Sequence, residues 1–188
     1  MIIIYSDSNE EFRREAVKMG KFYNVEPVVV DCGKNEDRHS RRESVISALH
    51  ATDFVAFICH GWKQGIELGF DTTNTAQLAD ALRCYGPLRV VLYCCSTAGG
   101  GVDGDGGFAD HLRDLSGAQV DAHDGAGHCT RRPYVRRFDA GAVAQGGPWI
   151  VAPQHDLWPK WYRELHDSDL RFRYPMMTRE EIASHLAQ

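Results

Sequence analysis

No run of apolar residues in this 188-residue chain is long enough to cross a membrane as a helix, so the sequence predicts no membrane partner. The first residues, Met1 to Ile4, lead straight to Asp7, Glu10 and Glu11. They lack both the basic start and the apolar stretch of an export signal, and the expectation is a cytoplasmic protein. A basic excess is missing too. Lys and Arg number 21 against 26 Asp and Glu, a formal charge of −5, which argues against nucleic acid as a partner because phosphate neutralisation needs clustered basic charge. The one basic cluster, Arg131, Arg132, Arg136 and Arg137 around Pro133 and Tyr134, reads as a solvated face, with contact to an anionic partner as the alternative. The six cysteines (Cys32, Cys59, Cys84, Cys94, Cys95, Cys129) contain no C-x-x-C pair. Reduced thiols are therefore expected, each to be explained by packing, metal ligation or chemistry. Internal repeats, low-complexity tracts and a Pro-, Gly- or Ser-rich linker are all absent, and 43% hydrophobic with 25% charged residues describes one globular domain over residues 1–188.

Short apolar, β-branched runs alternate with segments of helical period, the pattern of a mainly parallel α/β sheet with helices on both faces. Six strands are predicted: Ile2 to Tyr5, Pro27 to Val30, Phe54 to Cys59, Leu88 to Tyr93, Ala118 to Ala122 and Trp149 to Ala152. The first four are almost entirely apolar, as strands covered on both faces must be. Helix starts are predicted at capping boxes, Ser8 with Glu11, Ser40 with Glu43, Asn74 with Gln77 and Thr178 with Glu181. Trp149, Trp158 and Trp161 read as packing aromatics. Three irregular stretches, Gly61 to Asp71, Ser96 to Gly107 and His123 to Gln145, follow the third, fourth and fifth strands. Ligands of open α/β sheets bind beyond the carboxyl ends of the strands, so a site is expected at that edge.

Two strand ends there carry chemistry. The third strand closes on His60 and Gly61, and the fourth on Cys94 and Cys95 before Ser96-Thr-Ala-Gly99. If the two strands are neighbours, an imidazole meets a thiol. The imidazole can take the thiol proton, and backbone N–H groups at Gly61 can hold an oxyanion. Adjacent strand residues face opposite sides, so only one of the two cysteines can point at His60. Cys95, nearer the glycine-rich turn, is the candidate nucleophile, and Cys94 is expected to pack into the sheet flank.

On the residues His60-Gly61 and Leu92-Tyr93-Cys94-Cys95-Ser96-Thr97 the chain resembles the clan of cysteine peptidases that contains caspases, metacaspases, gingipains, separases and CHAT-domain proteases. The likeness covers about Met1 to Ser116. It implies a caspase-like three-layer sandwich with a six-stranded, mainly parallel sheet, and a dyad of one histidine and one cysteine that follows a small residue. Position by position this assigns His60 and Cys95, and gives Cys94 the small-residue place. The activity implied is cleavage of a peptide or protein substrate through a thioester, without a cofactor. His60 and Cys95 lie 35 residues apart, against roughly 50 in caspases, and the Q-A-C-R-G string is absent, so the likeness is to the clan and not to caspases themselves. Trypsin-like members carry an acidic residue just before the cysteine, where this chain has Tyr93 and Cys94.

The following loops offer substrate-binding candidates. Asp103 and Asp105 can select a basic side chain or hold calcium, with a turn capped by Asp105 as the simpler reading. The run Asp121-Ala-His-Asp-Gly-Ala-Gly-His-Cys129 places His123, Asp124 and His128 beyond the fifth strand. These are read as a polar loop lining the cleft. His123, His128 and Cys129 are also competent zinc ligands, but their spacing is not a zinc signature, and no metal is expected. Two other functions stay open: a catalytically inactive binding module using the same cleft, and a metal-dependent hydrolase built on His123 and His128.

Overall fold

The computed structural model describes residues 1–33, 37–86, 89–99, 106–123, 135–138, 140 and 149–150. Its strands are β1 (Ile2–Ser6), β2 (Val28–Val30), β3 (Phe54–Ile58), β4 (Gly61–Trp62), β5 (Gly65–Ile66), β6 (Arg89–Tyr93), β7 (Gln119–His123), β8 (Val135–Phe138) and β9 (Trp149–Ile150). Its helices are α1 (Glu10–Tyr23), α2 (Arg38–Ala48), α3 (Thr75–Tyr85) and α4 (Phe108–Ser116).

The main sheet runs in the order β2-β1-β3-β6-β7-β8-β9. Its first five strands are parallel, and β8 and β9 are added antiparallel. The α/β class is therefore as the sequence implied, but the sheet has seven strands where six were expected. The additional strand is β8, inside the stretch read as irregular, and it carries Arg136 and Arg137 of the basic run. Phe138 anchors it against α4. There the buried Arg113 guanidinium lies 5.8 Å from the Phe138 ring centre and binds Asp110 at 2.7 Å and Asp114 at 2.6 Å. A second departure lies after β3, where part of the expected loop forms an antiparallel hairpin of β4 and β5.

The strand alternation sorts side chains onto two faces. Phe54, Ala56, Ile58 and Val91 pack with Phe12, Ala16 and Met19 of α1. Val55, Phe57, Val90 and Leu92 pack on the other face with Val45 of α2, Leu78 and Leu82 of α3, and Phe108 and Leu112 of α4. Every residue of β3 is buried, which explains its unbroken apolar run. Each large apolar side chain so covered stabilises the fold by roughly 1.5–3 kcal/mol.

Of the described helix caps, one falls on an expected residue and two fall close to one. Asn9, not Ser8, caps α1 by accepting from the Glu11 amide at 2.9 Å. Asp37, not Ser40, caps α2 by accepting from the amides of His39 and Ser40. Asn74 is the N-cap of α3, but its carboxamide oxygen accepts from the Asp71 amide instead of capping the helix. The Thr178 cap, Trp158 and Trp161 lie outside the described residues. Among the described residues no helix is long and apolar enough to cross a membrane.

Candidate functional site

β3 and β6 are parallel neighbours, with Ile58 opposite Tyr93. Carried two residues further, that register sets His60 opposite Cys95. Contacts past the strand ends fit this continuation. One step on, the sulfurs of Cys59 and Cys94 lie 3.3 Å apart. Beyond that, Gly61 rests on the start of the turn after β6. A Cβ at Gly61 would stand 2.6 Å from Cys94 Cβ, 2.9 Å from the Cys95 carbonyl oxygen and 2.9 Å from Thr97 Cγ2. Glycine is needed here for close approach.

The faces separate the two adjacent cysteines. Cys94 is buried with Cys59 in the cluster on the α2, α3 and α4 side. His60 is exposed on the α1 side, edge-on to Phe12 with ring centres 4.7 Å apart. Tyr93 belongs to that same side, and Cys95, half-buried, follows two residues later in the turn after β6. Ser96 follows in the left-handed region at φ 59°, an uncommon conformation for a residue with a side chain and one that turns the chain sharply after Cys95.

That turn is stitched on several sides. Gly99 N–H donates to Ser96 O at 2.9 Å, Thr97 Oγ1 to Cys94 O at 3.1 Å, and Ala98 N–H to His123 O at 2.9 Å. The first turn of α4 adds two donors, Phe108 N–H to Lys63 O at 2.9 Å and Ala109 N–H to Thr97 O at 3.0 Å. The β4–β5 hairpin, the Cys95 turn and α4 thus form one connected wall.

Sequence reasoning missed Glu67. Its carboxylate accepts from the His60 backbone N–H at 3.3 Å and from Ser8 Oγ at 2.9 Å, fixing the backbone at His60 against the loop after β1. The strand order reverses between β1 and β3, so Glu67 lies at the topological switch point of the sheet. The only sequence signal was a carboxylate shortly after His60 in a loop leaving the right edge.

Burial pushes the Cys95 thiol above its ordinary range, with Cys59 adding to the effect. The resting thiol is therefore protonated near neutrality, and nothing here preforms a thiolate. Burial likewise raises Cys32 from about 9 to about 11, and Tyr23 to about 12 against the opposing pull of Arg89. In each case the folded chain keeps a proton that the unfolded chain gives up. The associated stability is complete below the unfolded value and is lost as pH rises towards the folded one. The urea midpoint is expected to fall between about pH 9 and about pH 11. A midpoint that stays level across that window would contradict the burial of these groups.

Of the other sequence candidates, His123 ends β7, is 5% exposed and has its ring centre 6.3 Å from that of Tyr93. It is closed to solvent in this form. Asp103, Asp105, Asp124, His128 and Cys129 lie outside the described residues. Among the described residues no group of three His, Cys, Asp or Glu side chains is placed to hold a metal ion. A cavity of about 180 Å³ lined by Leu82, Arg83, Gly86, Ser116, Gly117 and Ala118 lies where β6 and β7 begin, at the opposite edge of the sheet from His60 and Cys95. No family model, no curated protein and no solved structure matches the chain.

Proposed function

We propose that the protein is a cysteine hydrolase of caspase-like design that cleaves peptide bonds with His60 and Cys95. The observation that supports this reading is the β3–β6 register, which ends with Ile58 opposite Tyr93, two residues before His60 and Cys95, while the Cys94 sulfur lies against that of Cys59. In the proposed reaction the Cys95 sulfur attacks the substrate carbonyl carbon as His60 takes the thiol proton. The tetrahedral oxyanion collapses, the C–N bond breaks, and His60 hands the proton to the leaving amine. Water then attacks the thioester, with His60 as base, and frees the acid and the thiol. The backbone at Gly61, held against Cys95, is the candidate for the oxyanion. Phe12 and Glu67 are positioning residues, one against the imidazole ring and one on its backbone. Peptide and protein substrates fit a dyad at the open edge of a sheet; no cofactor is required by the chemistry.

One observation favours a second reading, a non-catalytic module that binds a ligand in the same cleft: the Cys95 thiol is raised, not lowered. Peptidyl acyloxymethyl ketones with varied side chains separate the two. The hydrolase reading expects a covalent adduct on Cys95 and none on Cys94, with formation that His60→Ala impairs. Reversible binding of the same peptides without any adduct would support the module instead.

A further inference from the structure

Four of the described cysteines, Cys32, Cys59, Cys94 and Cys95, lie at the carboxyl edge of the sheet, while Cys84 is exposed on α3. Within this group one pair stands apart. Cys59 and Cys94 are each 1% exposed, sit at the ends of neighbouring parallel strands, and bring their sulfurs to 3.3 Å. Cys94 also donates to the Phe57 carbonyl at 3.6 Å. The proposed dyad uses neither thiol, since both face away from His60. Neighbouring strands lie about 4.8 Å apart, inside the roughly 4.4–6.8 Å between Cα atoms that a disulfide spans. Closing the 3.3 Å gap to a bond of about 2.05 Å requires only a small local shift.

We infer that Cys59 and Cys94 are a redox pair, which a hydroperoxide closes into a reversible disulfide that reshapes the neighbouring His60–Cys95 site. One sulfur takes an oxygen from hydrogen peroxide, giving a sulfenic acid and water. The other sulfur then displaces the hydroxyl as a second water while losing its own proton. Two S–H bonds are lost, one S–S bond forms, and one peroxide is reduced to two waters. Gly61 carries the effect to the site, because its backbone rests on Cys94 and a shift of Cys94 towards Cys59 alters that seat one residue from His60. Burial raises the Cys59 thiol well above its ordinary range, so the pair responds to sustained oxidant and not to brief exposure. The effect on Cys95 rests on the proposed dyad; the disulfide does not.

The test treats the folded, full-length protein with hydrogen peroxide, stops the reaction with catalase, and digests with trypsin without reduction. Cys59 falls in the peptide from Glu43 to Lys63, and Cys94 with Cys95 in that from Val90 to Arg113, so fragmentation must assign the linked sulfur. The expected product is a Cys59–Cys94 link that dithiothreitol removes. In the linked fraction, iodoacetamide should modify the remaining Cys95 thiol several-fold more slowly, with recovery on reduction. Cys94→Ala, which keeps the Cβ under Gly61, should retain the basal Cys95 rate and lose its peroxide response. Absence of the link at doses that oxidise Cys95 would overturn the inference, as would a link to Cys95 or a link that leaves the Cys95 rate unchanged. A Cys95 rate indifferent to His60→Ala in reduced protein would sink the dyad alone and leave the link assignment standing.

Discussion

Iodoacetamide near neutral pH is expected to alkylate Cys95 ahead of Cys59 and Cys94, and His60→Ala is expected to slow that reaction by about 10–100-fold. Access gives the order, because Cys95 is half-buried while Cys59 and Cys94 are each 1% exposed. The dependence on His60 follows from the thiol itself. Burial raises Cys95, so very little of it is thiolate at pH 7. Reaction at neutrality then needs a base that removes the proton as the sulfur attacks. With His60 in that role, the wild-type rate near neutrality should exceed that of a lone raised thiol, with a further rise in the alkaline range. In His60→Ala that excess should vanish, leaving a rate that climbs tenfold per pH unit until the raised thiol ionises. Superimposable pH–rate profiles for the two proteins would show that His60 does not serve Cys95.

The parts of this site that were readable in the sequence are those written locally. β3 and β6 announced themselves as unbroken apolar runs because both faces of each are covered, and His60 and Cys95 stood out by ending those runs before turns. Their proposed pairing rests on the two strands being neighbours. Other features depend on partners distant in sequence. Glu67 gained its role from a contact with Ser8, 59 residues away, and the same contact leaves Asn9 to cap α1. β8 was hidden because Val135-Arg-Arg-Phe138 shows no clear two-residue alternation, and β4 and β5 because two-residue strands give no run to read. The Cys59–Cys94 contact was equally invisible. Each cysteine is locally a small strand residue, and only the β3–β6 register brings them together.

Gly61→Ala is expected to destabilise the protein by about 1–3 kcal/mol and to slow Cys95 alkylation as well. The added methyl would lie 2.6 Å from Cys94 Cβ and 2.9 Å from both the Cys95 carbonyl oxygen and Thr97 Cγ2. None of these atoms is the free end of a flexible side chain. Cys94 is locked by Cys59 and by the Phe57 carbonyl, and the Thr97 hydroxyl by the Cys94 carbonyl. Relief must therefore come from moving the chain after β3 away from the chain after β6, the separation across which His60 would act on Cys95. A lower urea midpoint with an unchanged denaturant slope would report the packing cost. The loss of reactivity should persist under conditions where the variant is fully folded, because it arises from displacement and not from unfolding. Normal stability together with a normal Cys95 rate would mean that the two strand ends are not in contact, and the dyad would lose its geometric basis.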